Sequence, residues 1–192
     1  VYYTKEGTGK PLLLIHDLDT MTSGHEWKQL IPLLRNEYTI YTIDLLGFGR
    51  SEKANMTYTN FLYVQMISDF IKSEIGHRII TSGEAASIPL MACANNPDLF
   101  DQIMAINPLS LLDFSSIPGK TAKMYKCMIE LPIIGTFIYN MAVSRNQIID
   151  AFVNNYYYKG HLVPQKLIHR RTGNKETFQS VFCEIQLYRC LL

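Results

Sequence analysis

The chain has 192 residues, 47% of them hydrophobic and 18% charged, which excludes a disordered polymer and suffices for one domain with a real core. A net charge of +1 with no basic run excludes the usual electrostatic footprint of a nucleic-acid binder. The four cysteines (Cys93, Cys127, Cys183 and Cys190) form no CxxC pair and no His/Cys set with zinc spacing, so neither a metal site nor a disulfide framework is expected. Reduced thiols and a cytoplasmic location are the reading, with Cys93 a small core residue. No basic-then-apolar leader opens the chain. Its longest apolar stretch, 131–143, is interrupted by Pro132, Gly135 and Asn140 and is too short to cross a bilayer.

In chain order, "PLLLIH" (11–16) is a continuous apolar run, the pattern of a strand buried on both faces. "EWKQLIPLLRN" places Trp27, Leu30, Ile31 and Leu34 at helical spacing, with Pro32 tolerable early in a helix. "YTIYTID" (38–44) is β-branched and aromatic, hence a strand. "NFLYVQMISDFIKSEI" sets Phe61, Val64, Ile67, Ile71 and Ile75 on one helical stripe. "HRIITS" predicts a third strand, "SIPLMACANN" a helix, and "DQIMAINP" (101–108) a fourth strand ended by proline. This alternation means parallel strands joined by crossover helices, with ligands at the strands' carboxyl ends. Those ends are His16-Asp17, Asp44, the turn at 83–87 and Asn107-Pro108. Beyond Pro108 the pattern is helical, with Met124, Met128 and Phe137 among the soft apolar residues.

Three features together resemble the α/β-hydrolase family, in its lipase, esterase and dehalogenase-like branch with a helical lid. "LLLIHD" followed by Trp27 is similar to the family's strand ending in His-Gly. "IDLLGFGRSEK" (43–53) matches D-x-x-G-x-G-x-S through Asp44, Gly47, Gly49 and Ser51. The strand, turn and helix over 79–93 lie where the family places its nucleophile elbow. The likeness covers about residues 2–108. It implies an α/β fold: a parallel sheet flanked by helices over 1–110, then a helical cap over 111–192, with the C-terminal core strands absent. It also implies hydrolysis of an ester or related bond through a covalent intermediate, without a cofactor.

The same resemblance assigns the site. His16 and Asp17 form the oxyanion loop, where aspartate stands in place of glycine and opposes a developing oxyanion unless it turns away. Asp44, Gly49 and Ser51 are read as loop-holding residues that do no chemistry. The elbow admits two registers. In one, Ala85 holds the nucleophile position between Gly83 and Ser87, and the oxyanion donors are Leu18 and Ala86. In the other, Gly83 holds it between Thr81 and Ala85. Pro89 favours the first, because a helix beginning at Ala86 makes it the fourth residue, whose N–H lacks an internal partner anyway. Strained elbow geometry and the distance onward to Pro97 favour the second. Neither register supplies a hydroxyl, thiol or carboxylate. His25, His77, His161 and His169 are read as structural, and Asp113 is a weak candidate acid.

The expected pocket lining is Asn107, Met124, Met128 and Phe137, over a small, largely apolar ligand or ester-like substrate. Two functional classes follow: a hydrolase-family protein impaired at its nucleophile, or a non-catalytic small-molecule-binding or protein-interaction module on the same fold.

Overall fold

A computed structural model describes residues 1–108, except 20, 21, 55, 57 and 75–77, together with Phe137. Five strands form one sheet: β1 (Tyr2–Glu6), β2 (Lys10–Ile15), β3 (Tyr38–Asp44), β4 (Arg78–Ser82) and β5 (Gln102–Ile106). Their order is β1-β3-β2-β4-β5, with β1 antiparallel to β3 and every other pair parallel. The four strands expected from the sequence are β2 to β5. β1 was not expected: it is a half-exposed edge strand whose lysine and glutamate dilute the apolar signal.

The two faces of the sheet carry different helices. Leu13 and Ile15 of β2 join Ile43, Ile79, Ile67, Ile71 and Ile88 in one core cluster, under α2 (Asn60–Glu74) and α3 (Ser87–Asn95). Leu12 and Leu14 face the other way and pack with Ile40 and Trp27, beneath a 3₁₀ turn (Gly24–Gln29) and the short α1 (Ile31–Leu34). The single helix expected over "EWKQLIPLLRN" is thus two short pieces. Pro32 falls in the first turn of α1, where its missing N–H costs least.

The α2 stripe needs one correction. Val64, Ile67 and Ile71 are buried, but Phe61 is 73% exposed. The buried face instead begins with Asn60 and Tyr63, and the Tyr63 hydroxyl donates to the carbonyl of Leu46. Cys93 is half-buried rather than a full core residue, and carries a free thiol. The helical cap expected over 111–192 lies outside the described residues, as do Met124, Met128, Asp113, His77, His161 and His169. Phe137 is described, and its side chain is 67% exposed. Among the described residues, no helix is long and apolar enough to cross a membrane.

The loop after β3 behaves as its sequence suggests. The buried Asp44 carboxylate accepts from the backbone N–H of Gly24 at 2.7 Å and of Arg50 at 2.8 Å. Gly49 has φ +48°, and a Cβ there would run into that carboxylate. Ser51 donates to the Asp44 carbonyl and accepts from the N–H of Tyr2. Asp44 thereby ties the loop after β2 to the loop after β3. Replacing it by alanine orphans two backbone donors, so Asp44→Ala should cost about 2–4 kcal/mol in urea unfolding. A loss below about 0.5 kcal/mol, the scale of an ordinary surface substitution, would refute that structural role.

Candidate functional site

The strand order places a crevice between β2 and β4. After β2 the chain turns onto the face carrying Trp27 and α1, whereas after β4 it turns onto the opposite face and into α3. The loops therefore diverge over the carboxyl ends of these neighbouring strands, the place where such sheets bind ligands.

His16 closes β2 on one side of the crevice and is fully buried. Its Nε2 accepts from the N–H of Leu45 at 3.1 Å, so the ring proton sits on Nδ1, which donates to the carbonyl of Asp17 at 2.6 Å. Its ring lies 5.3 Å from that of Phe48. Both ring nitrogens are engaged with backbone, so His16 fixes the loop and is not poised for proton transfer.

On the other side, β4 ends at Ser82 in extended conformation. The chain then reverses sharply through a 3₁₀ turn (Gly83–Ala86) into α3. Gly83 sits at φ +55°, in the left-handed region that disfavours a side chain. Ala85 and Ala86 lie inside the turn, both buried. Pro89 is the third residue of α3. The 3₁₀ turn accommodates a helical start at Gly83 without the proline penalty that argued for a start at Ala86.

Asp17 joins the two sides. Its Oδ1 accepts from the N–H of Leu18 at 2.7 Å and from the N–H of Glu84 at 2.8 Å. A Cβ on Gly83 would overlap the Asp17 carboxyl group, with Oδ2 the nearest atom. The carboxylate does not turn away from the backbone donors. It binds them, and its volume is the one a side chain at 83 would enter. The donors brought together are those of Leu18 and Glu84. Among the described residues, Ala86 gives no hydrogen bond to this group.

Burial pushes the Asp17 carboxyl above its ordinary pKa. The N–H groups of Leu18, Glu84 and Ala85 oppose that shift, and the negative charge of Asp19 reinforces it. The Asp17 N–H donates to Glu26 Oε2 at 3.2 Å. The Glu26 carboxyl is raised in turn, first by desolvation, with the Asp17 N–H opposing. The Glu26 residue remains exposed, so solvent screens its effect on the neighbouring charges. His25 is exposed in the same turn, and Asn107, at φ 50°, is exposed just past β5. Among the described residues, no group of three His, Cys, Asp or Glu side chains could hold a metal ion. Sequence reasoning missed Glu26 as a neighbour of the site. Its spacing within "SGHEWKQ" holds no signal, because its proximity to Asp17 comes from the fold of the 17–26 loop.

No family model matches the chain. Over 72 residues it is 35% identical to a 2-hydroxy-6-oxo-6-(2'-aminophenyl)hexa-2,4-dienoic acid hydrolase of Metapseudomonas resinovorans, a match covering 37% of this chain and 25% of that protein. It is 26% identical over 110 residues to a soluble epoxide hydrolase of Corynebacterium sp. (strain C12), covering 56% of this chain and 37% of that one. It is 38% identical over 65 residues to a fluoroacetate dehalogenase of Burkholderia sp., covering 33% and 21%. The matches thus span less than half the length of each of these relatives. Among solved structures, the epoxide hydrolase of Bacillus megaterium in complex with an inhibitor superposes with a TM-score of 0.71 at 19% identity, over 98% of this chain and 68% of that one. The epoxide hydrolase CorEH without ligand gives 0.69 at 19% identity, over 96% and 68%. The structural likeness establishes the shared fold.

Because the folded-state pKa of Asp17 is raised, its stabilising contribution is complete below the unfolded value of 3.8 and lost as pH rises through the native value. Asp17→Asn carries no charge at any pH and escapes that loss. Its melting temperature relative to the parent chain should therefore rise between about pH 4 and about pH 7. A difference that is flat, or falls, over that window would show that the ionised carboxylate is favoured at this position.

Proposed function

Since this chain belongs to the α/β-hydrolase family, we propose that it keeps a small-molecule site at the carboxyl edge of its sheet but has lost nucleophilic ester hydrolysis from its elbow. Gly83 is the nucleophile-equivalent position in this reading, in preference to Ala85. The observation that carries it is the Asp17 carboxylate, seated on the N–H groups of Leu18 and Glu84 in the space a side chain at 83 would need. In this arrangement those two donors are the oxyanion site. The chain's own oxyanion occupies it, which both removes the nucleophile and blocks stabilisation of a tetrahedral intermediate. The ligand is small and largely apolar, held between this edge and the cap expected over 111–192, with Asn107, Met124, Met128 and Phe137 in its lining. The setting is cytoplasmic, and no cofactor is required.

Hydrolysis of p-nitrophenyl acetate and butyrate should stay at the uncatalysed background. Robust turnover, abolished by a serine-directed covalent inhibitor, would overturn the reading. A companion measurement addresses the geometry. Gly83→Ser forces a side chain into the carboxylate and should cost about 2–4 kcal/mol, whereas in an Asp17→Gly background only backbone strain of about 1–3 kcal/mol remains. Purely additive effects in a double-mutant cycle would mean that positions 17 and 83 do not share this space.

A further inference from the structure

We propose that the acidic edge of the crevice binds the primary ammonium group of a small alkylamine, with Asp17, Glu26 and Ser82 as its acceptors. The inference rests on the reading that a small-molecule site persists at this edge, and it adds the charge and donor pattern of the ligand's head.

The charge is one-sided. The two loops that line the crevice, 16–26 and 82–87, carry Asp17, Asp19, Glu26 and Glu84 and hold no lysine or arginine. The basic groups of the loop after β3 are directed elsewhere. Arg50 Nη1 donates to the Tyr2 hydroxyl at 2.7 Å, and Lys53 Nζ donates to the carbonyl of Gly49 at 2.6 Å. Asp17 and Glu26 lie close together, since the Asp17 N–H reaches Glu26 Oε2 at 3.2 Å. Each carboxyl is held above its ordinary pKa, by desolvation first and also by negative neighbours, Asp19 for Asp17 and both aspartates for Glu26. A cation seated between them cancels that second cause.

The acceptors converge from both walls. Asp17 Oδ1 takes the backbone donors of Leu18 and Glu84, and Oδ2 lies toward Gly83, where no side chain covers it. Ser82 supplies an independent sign of a ligand. It is buried, with 8% exposure, and its hydroxyl oxygen has no hydrogen-bond partner. Ile80, two residues earlier on β4, packs against the Trp27 cluster. Ser82 therefore points to that same face of the sheet, the one crossed by the turn that bears Glu26. A buried hydroxyl left unpaired is costly, and a donor arriving beside Glu26 restores its bond. An ammonium offers three donors and no acceptor, the complement of two carboxylates and a hydroxyl oxygen. Among the described residues, no three His, Cys, Asp or Glu side chains come together as a metal site, so these acceptors suit a bulkier cation than a metal ion.

β5 fixes where the tail runs. Ile106 pairs with Ser82 and Met104 with Ile80, so both side chains stand on the same face, and both are exposed. An alkyl chain leaving the ammonium group crosses from Ser82 onto them and removes apolar surface from water. An anionic head is repelled by the carboxylates, and a neutral one leaves their charge uncompensated.

The test titrates the full chain at low salt with n-hexylammonium chloride, 1-hexanol and n-hexyltrimethylammonium chloride, followed by isothermal calorimetry. Hexylammonium should bind at least about tenfold tighter than hexanol, because charge-assisted hydrogen bonds are stronger than neutral ones. It should also exceed the trimethyl ion, which keeps the charge and loses the donors, by about fivefold or more. Glu26→Gln, at an exposed position, should weaken hexylammonium by about fivefold or more and leave hexanol within about twofold. Glu37→Gln, which removes an equal charge just before β3 and so at the opposite edge of the sheet, should change neither. Equal binding of hexanol and hexylammonium would overturn the ammonium head and leave the apolar site standing, whereas no binding of either would overturn both. Equal binding of the trimethyl ion, or equal losses in the two glutamine variants, would reduce the attraction to general surface charge and overturn the proposal. None of these results bears on the ester assay.

Discussion

The site is organised by one contact, the Asp17 carboxylate on the backbone N–H groups of Leu18 and Glu84. It crosses from the loop after β2 to the turn after β4, two segments that share no covalent neighbour and run to opposite faces of the sheet. Hydrogen bonds to an ionised acceptor are stronger than neutral ones, and here they also satisfy donors at the start of a helical turn that would otherwise need water. Desolvation works against them and prevails in the balance, which is why the carboxyl is displaced upward in pKa rather than downward. The contact is therefore strained electrostatically while being well formed geometrically.

Two departures from the family pattern fit one another. Aspartate follows His16 where the family pattern has glycine, and in the proposed register glycine stands at 83 where a nucleophile would carry a side chain. Separately, each looks like a defect. Together they are sterically complementary, since the carboxylate uses the space that the missing side chain vacates. The left-handed φ of Gly83 adds a second reason for glycine there, because a side chain would be strained even with Asp17 absent. The pairing depends on the sheet topology: only because β4 lies directly beside β2 do the two loops come within hydrogen-bond reach.

Much of this was legible in the sequence, and the failures have physical causes. Strands buried on both faces, such as "PLLLIH", announce themselves by unbroken apolarity, and the resulting β2 lies in the middle of the sheet. β1 escaped because it sits at an edge, where one face and one row of backbone groups meet water and no apolar run is required. Spacing alone puts Phe61 on the buried stripe of α2. Its exposure shows that the contact surface of that helix is set by what lies across from it, in particular Tyr63 reaching the carbonyl of Leu46. The sequence makes Asp44 and Ser51 loop-holding residues, and their partners are the backbone groups that such a role requires.

The register of the elbow shows where a sequence argument from a single residue gives out. Pro89 favours the Ala85 register only if the helix begins directly as an α-helix. A 3₁₀ turn at the entrance spreads the change of direction over four residues and makes Pro89 an early residue of α3. The proline then no longer discriminates between the registers. What favours the proposed Gly83 register is the backbone: one residue in the turn adopts positive φ, and it is the one whose Cβ position another side chain already occupies. Neither fact is encoded in the small-residue pattern "SGEAAS". The second follows from Asp17, sixty-seven residues away from Glu84 in the chain and 2.8 Å away in space. The shape of this crevice is thus set less by the turn that resembles a nucleophile elbow than by the carboxylate that reaches into it.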